Sequence, residues 1–437
     1  MGSLRHESAS RGVDALYEHG PSKGGNVSEQ YRWFVGIDWA TQNHEVCIVD
    51  CDGGVVDRKT IEHTGAGIAQ LVKRLEELTR AEPGLVAVGI EVPRGAIIEC
   101  LIEHRFAVYS LNPKQMDRFR DRHTVAGSKD DRRDALVLAD SLRTDRPLFH
   151  RVRLDDPLVM RIRELSRTEQ DVQQQQTRLA NQLRDLLWRY FPQLIKLSPS
   201  MDEGWLWDLL ELAPTPEKAR GLKRSRIEKI LRAHRIRRWS GEEIEAALQV
   251  QALELAPGSA AATSEHVLLL LPVLRLLQSQ HKEIARRMET VLEEMEQQEQ
   301  ESEHRDVTIL RSMPGAGRVV AATMLAEASQ ALAERDYRAL RSYTGVAPVT
   351  WQSGKRKVVG MRRSCNPRLR NAVYHWSMVS IQHDERSREH YAALRKKGHS
   401  HSRALRGVAD RLLAVLTAML RTGSNYDPTL RSAASRQ

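Results

Sequence analysis

The chain has 437 residues, long enough for two or three domains with substantial cores. Its 67 Lys and Arg outnumber 57 Asp and Glu, a formal charge of +10 that favours a polyanionic partner. Four cysteines (Cys47, Cys51, Cys100, Cys365) with no CxxC spacing speak against a disulfide framework or zinc site and for a reducing cytoplasm, and no apolar run approaches the roughly 20 residues that cross a bilayer, so no membrane is expected.

Residues 1–30 are polar and Gly/Ser-rich with no apolar core, which reads as a disordered leader. The next segment, 31–150, alternates strands and helices. Trp33 to Ile37 is an apolar run ending at Asp38, and Leu85 to Ile90 is a second ending at Glu91. Val46–Val49 and Val55–Val56 flank the turn Cys51-Asp52-Gly53-Gly54, a hairpin signal. Ile68–Leu78 and Ile97–His104 have helical period, and Phe106–Tyr109 is a last strand closed by Asn112-Pro113. Asp131 and Asp134 stand three apart where another apolar helix begins, on one helical face. Each acid alone also reads as a turn residue or helix cap. Together they occupy the places where two strand ends and a helix can hold a pair of divalent cations that clamps a phosphodiester. Carboxylate oxygens suit Mg²⁺ or Mn²⁺. This order of elements resembles the RNase H-like fold of the RuvC type.

Residues 151–304 read as a helical region. Leu158, Ile162, Leu165, Val172, Leu179, Leu183, Leu186 and Tyr190 share one heptad-like register, interrupted by Glu169 and Gln176. Leu270, Leu274, Leu277, His281, Ile284, Met288, Val291 and Met295 share a second, so an antiparallel coiled-coil hairpin or a dimerisation element is expected. His281 reads as a register-setting polar residue rather than a ligand. Between them, Lys218 to Arg238 carries ten Lys and Arg against the single acid Glu228. Arg220, Lys223, Arg224, Arg226, Lys229, Arg235 and Arg238 are its candidate nucleic-acid contacts, against the alternative of a solvated helix face.

The segment 305–427 begins with Met313-Pro314-Gly315-Ala316-Gly317 before an apolar helix, which resembles half of a helix-hairpin-helix. A Ser353-Gly354 step follows, amid seven cations: Lys355, Arg356, Lys357, Arg362, Arg363, Arg368 and Arg370. Cations lower the cost of charge building on phosphoryl oxygens, so Ser353 is a candidate nucleophile, with Lys355, Arg356, Arg362 and Arg363 as candidate phosphate contacts. The local sequence reads equally as a basic loop with a Ser-Gly turn. Residues 428–437 read as a flexible tail.

Taken together these motifs resemble the DEDD transposases of the insertion sequence 110 family, related to the Piv-type DNA invertases. The matching stretches are Val35-Gly36-Ile37-Asp38-Trp39-Ala40, Gly89-Ile90-Glu91, Ser128-Lys129-Asp130-Asp131-Arg132-Arg133-Asp134-Ala135, Gly345 to Pro348, Gln352 to Lys355, and Asn366 to Ala372. The doublet Asp130-Asp131 blurs the third acid, though only Asp131 keeps the three-residue spacing to Asp134. The resemblance covers about residues 33 to 427 and implies a RuvC-like domain, a coiled-coil insertion and a C-terminal domain whose serine, here Ser353, is the nucleophile. It further implies a noncoding bridge RNA pairing with target and donor DNA, and dimers that assemble to tetramers with sites shared between protomers. The expected chemistry is strand exchange through a covalent phosphoserine assisted by Mg²⁺ at Asp38, Glu91, Asp131 and Asp134, without ATP, since no Walker-type loop is present. The alternatives are a RuvC-like structure-selective endonuclease, which would need the acids but not Ser353, and a binding protein that would need neither.

Overall fold

The computed structural model describes residues 31–80, 82–91, 95–111, 113–123, 130–299, 305–354 and 356–429. Ser128, Lys129 and Lys355, the residues 1–30 and the end of the tail lie outside them. The chain divides into two compact units: residues up to Met160 with those from Gln298 onward, and Arg161–Gln297.

The first unit opens with β1 (Trp33–Trp39), β2 (Asn43–Asp50) and β3 (Val55–Glu62), then α1 (Gly65–Thr79), β4 (Val86–Ile90), α2 (Ala96–Glu103), β5 (Ala107–Ser110), α3 (Pro113–His123), α4 (Asp131–Asp145) and β6 (His150–Arg151). They form a six-stranded mixed sheet in the order β3-β2-β1-β4-β5-β6. The first three strands are antiparallel, β1, β4 and β5 are parallel, and β6 is antiparallel to β5. Because side chains alternate across a strand, each central strand feeds two cores. Val35, Ile37, Val88 and Val108 pack with Leu71 and Leu75 of α1 and Ile97 and Leu101 of α2. Phe34, Ala87 and Tyr109 point the other way, onto Phe119 of α3 and Ala135, Leu138 and Leu142 of α4. Helices on both faces of a mixed sheet make this an α/β domain of RNase H-like architecture.

Two glycines set how closely α4 approaches. A Cβ on Gly36 would stand 1.9 Å from the Ala135 carbonyl oxygen and 2.6 Å from the Ala139 nitrogen, and one on Gly89 would stand 3.4 Å from the Leu138 oxygen. The helix therefore rests directly on the backbones of β1 and β4, which carries its first turn to their ends.

In the second unit lie most of α5 (Pro157–Tyr190), then α6 (Gln193–Leu197), α7 (Gly204–Leu212), α8 (Pro216–Arg220), α9 (Arg224–Ala233), α10 (Gly241–Gln249) and most of α11 (Ser259–Glu299). The two long helices run antiparallel: Arg161 pairs with Glu294 at 2.7 Å, His281 with Glu169 at 3.4 Å, and Gln182 with His266 at 3.3 Å. Ile162, Val172, Leu183 and Leu186 of α5 are buried, as are Leu270, Leu274, Leu277, Ile284, Met288 and Val291 of α11. The short helices close around Trp205, Trp207, Tyr190 and Phe191. By length and composition α11 is apolar enough to cross a membrane, the one such helix among the described residues. This corrects the expectation that no segment of that kind exists. Leu270, Leu271 and Leu274, at the heart of that stretch, belong to the unit's own core, and Leu277 is buried as well.

The C-terminal part returns to the first unit and is helical apart from one hairpin: α12 (Asp306–Ser312), α13 (Arg318–Glu327), α14 (Ser329–Ala333), α15 (Tyr337–Tyr343), β7 (Val349–Ser353), β8 (Arg356–Gly360), α16 (Pro367–His383), α17 (Glu385–Lys396) and α18 (His401–Thr422). The Pro-Gly turn between α12 and α13 is pinned to α16, whose Trp376 Nε1 and Ser380 Oγ donate to the Pro314 carbonyl at 2.9 and 2.7 Å. Gly315 holds φ +78° there with the Ser380 backbone against it, so any side chain would be strained and crowded.

Candidate functional site

Asp38, Asp131 and Asp134 converge: each offers a carboxylate oxygen, and the three lie within 4.8 Å of one another. Asp38 follows Ile37 on β1, and Ile37 is in parallel register with Ile90 of β4, so Glu91 leaves the sheet beside Asp38. Asp131 and Asp134 occupy the first turn of α4. Asp130 is the helix's N-cap, its side chain accepting from the Arg132 N–H at 3.2 Å. A capping carboxylate is committed to the helix end, so the two neighbouring acids divide their work, one holding the helix and the other facing Asp38.

Exposure grades across the group. Asp131 is exposed, Asp38 half-buried and Asp134 buried. Hard oxygens gathered at this spacing, with one wall buried and one open, fit a divalent cation that keeps water or substrate oxygens as its remaining ligands. Glu91 is not one of the three; its charge acts on Arg120, the guanidinium that grips Asp134. Two residues of this neighbourhood had not been anticipated. Glu45 stands opposite Asp38 across β1 and β2 and lines the same open pocket with Thr60, whose hydroxyl donates to it at 2.6 Å. A register count across the hairpin would have found it. Arg120 sits on α3, whose strongly charged sequence has few apolar residues to mark a helical period.

Beside the pocket, His44 is fully buried and hydrogen-bonded to His63 at 2.9 Å. Burial, and then the proximity of His63, push its pKa below the usual histidine value.

Ser353 lies at the tip of the β7–β8 hairpin. It is exposed and pairs with Arg356 across the turn, where Gly354 takes φ +54° and a Cβ would meet nothing. Trp351 folds over Gly360, where a Cβ would lie 2.5 Å from its ring. Arg356 and Arg363 are exposed and Arg362 half-buried. Asn366 caps α16 through the N–H groups of Arg368 and Leu369, and its amide nitrogen donates to Glu327 at 2.9 Å.

All seven candidate contacts of the basic stretch are exposed. Arg220 ends α8, and α9 buries Ile227, Ile230 and Leu231 while Arg226 and Lys229 face outward. Arg224 and Arg238 also tie the unit together, through Glu245 at 2.7 Å and Glu203 at 2.5 Å.

Comparison with known proteins gives two family matches, one toward each end of the chain. Residues 35–192 match a family model described as a DEDD transposase of IS110, and residues 307–392 match the transposase IS116/IS110/IS902 family. A mini-circle protein of Streptomyces coelicolor named as a transposase for IS117 is 33% identical over 415 residues, 92% of this chain and 98% of its own length. A Sinorhizobium fredii protein named as transposase y4uE is 43% identical over 218 residues, half of this chain and 61% of its own. A 44.8 kDa protein of insertion element IS116 from Streptomyces clavuligerus is 29% identical over 407 residues, 91% of this chain and 96% of its own. The chain belongs to the IS110 family of DEDD transposases and is an enzyme of DNA transposition and recombination.

Proposed function

We propose that this transposase exchanges strands between target and donor DNA through a covalent phosphoserine at Ser353, guided by a bound noncoding RNA and assisted by Mg²⁺ or Mn²⁺ at Asp38, Glu91, Asp131 and Asp134. The observation that carries the reading is the convergence of three acids from β1 and α4 while Asp130 is taken up as a cap. In this reading the Ser353 Oγ–P bond forms as the bond from phosphorus to a deoxyribose oxygen breaks, and the hydroxyl proton is lost as the oxygen attacks. The new ester keeps the energy of the old one for rejoining. A divalent cation, when bound, supplies charge to the phosphoryl oxygens and eases loss of that proton. Arg356, Arg362 and Arg363 hold phosphate near the hairpin, and Lys355, which lies outside the described residues, is a further candidate. The exposed tip, with room at Gly354, supports access for a DNA backbone. Ten cations between Lys218 and Arg238 support an RNA contact in the helical unit. The dimer-to-tetramer assembly is carried over from the family resemblance, and the cytoplasmic setting follows from the few cysteines without CxxC spacing.

A DNA substrate nicked near the crossover tests this. It should trap the wild-type protein in an adduct that survives denaturation, and Ser353→Ala should abolish the adduct while leaving DNA binding intact. Ser364→Ala, in the neighbouring basic segment, should still form it. Normal cleavage by Ser353→Ala with Mg²⁺, together with loss of cleavage in the acid variants, would instead make metal-activated water the nucleophile.

A further inference from the structure

Asp134 is the most enclosed member of the acidic group, 2% exposed. A carboxylate shut away beside two others requires a compensating positive charge. Arg120 supplies it. Its Nε donates to Asp134 Oδ1 at 2.7 Å and its Nη2 to Oδ2 at 2.8 Å, a planar fork closed on both oxygens. Its remaining nitrogen, Nη1, donates to Asp117 at 2.7 Å. Burial works against the guanidinium's charge, yet the bond to Asp134 and the charges of Asp134, Glu91 and Asp117 outweigh it and hold its pKa above the ordinary value. One cation therefore answers acids from α3, α4 and the end of β4.

We infer that Arg120 is the built-in counter-ion of this site: it neutralises Asp134 in the metal-free protein and opposes the incoming divalent cation, so that metal binds more weakly than the carboxylates alone would allow. The inference rests on the reading of Asp134 as a metal ligand. Its physical basis is simple. The fork uses lone pairs on both Asp134 oxygens, and a fixed positive charge beside the pocket repels a second one. A site balanced in this way takes its cation most readily together with a phosphodiester, whose negative charge offsets the surplus. Metal loading would then be coupled to DNA binding.

The test is a Mn²⁺ titration of the full-length protein, followed by the paramagnetic signal of free Mn²⁺, with melting measured separately in metal-free buffer. Arg120→Gln should bind Mn²⁺ about tenfold more tightly than wild type, the size of a modest coupling between sites. It should melt at lower temperature without metal, and adding Asp134→Asn to it should restore part of that loss. Arg120→Lys keeps the charge without the fork and should tighten binding only a few-fold; it carries the test if the Gln variant does not fold. Affinity unchanged or weaker in these variants overturns the inference, because a residue that only orients Asp134 or supports the fold would not raise affinity when removed. If wild type and Arg120→Gln alike fail to bind Mn²⁺, or Asp38→Ala binds as well as wild type, the metal reading of the acidic group itself falls.

Discussion

A single methyl group at Gly36 should disable the site without touching any of its acids. In Gly36→Ala the new Cβ would start 1.9 Å from the Ala135 carbonyl oxygen, whereas real Cβ contacts essentially never close below 3.0 Å. Either α4 or β1 must therefore retreat by about 1 Å or more, and both are backbone in a close-packed layer. Overpacking of this kind costs about 1–3 kcal/mol. Ala135 directly follows Asp134, so the same retreat moves Asp131 and Asp134 away from Asp38. A misplacement of about 1 Å at reacting groups costs on the order of 100-fold in rate. Thermal melting and a recombination assay on the full chain measure the two effects, with Gly65→Ala as control because a Cβ there meets nothing within 4 Å. Gly36→Ala should melt several degrees lower and lose recombination out of proportion to its loss of folded protein, while Gly65→Ala should do neither. Wild-type melting and recombination in Gly36→Ala would refute the reasoning.

Alanine at Asp38, Glu91, Asp131 or Asp134 should abolish recombination, but their stabilities should diverge. Asp38→Ala and Asp131→Ala relieve like-charge crowding and should hold or gain stability without metal, whereas Asp134→Ala strands Arg120 and should lose about 1–3 kcal/mol. Asp130→Ala should cost about 1 kcal/mol of helix capping and spare much of the activity; equal loss of activity there would reverse the roles of the doublet. Because the folded-state pKa of His44 lies below 6.5, its contribution to stability is complete above that pH and is lost as pH falls through the lowered value. Melting temperature should therefore fall between pH 8 and 5, and His44→Gln should flatten that slope; an unchanged slope would remove His44 as the cause. For RNA, Arg226 and Arg235 are better probes than Arg224 and Arg238, whose ion pairs also hold the fold. Reversing both to Glu should weaken RNA binding and lower its salt dependence by about one counterion per lost contact, and unchanged affinity would return the stretch to a solvated face.

Local signals in the sequence mark most strands and helices of the first domain and single out the candidate acids. Apolar runs ended by Asp38 and Glu91, the hairpin around Gly53-Gly54, and the three-residue spacing of Asp131 and Asp134 are local signals, written in alternation, turn chemistry and helical period. The two long helices were equally legible, since an apolar stripe must repeat along a helix that packs on one face. The functions of neighbours in space were not. Spacing to Asp134 favours Asp131 over Asp130 in the sequence, but only the start of α4 gives the reason, making one a cap and the other a member of the acidic group. Arg120 lies on a strongly charged helix, and it acquires meaning only when α3 brings it onto Asp134. Glu45 faces Asp38 because of strand register, and Gly36 matters because a helix distant in sequence lies on it. Local patterns follow from each residue's own backbone and burial, whereas charge compensation and close approach depend on groups far apart in the chain, and those meet only when the layers pack.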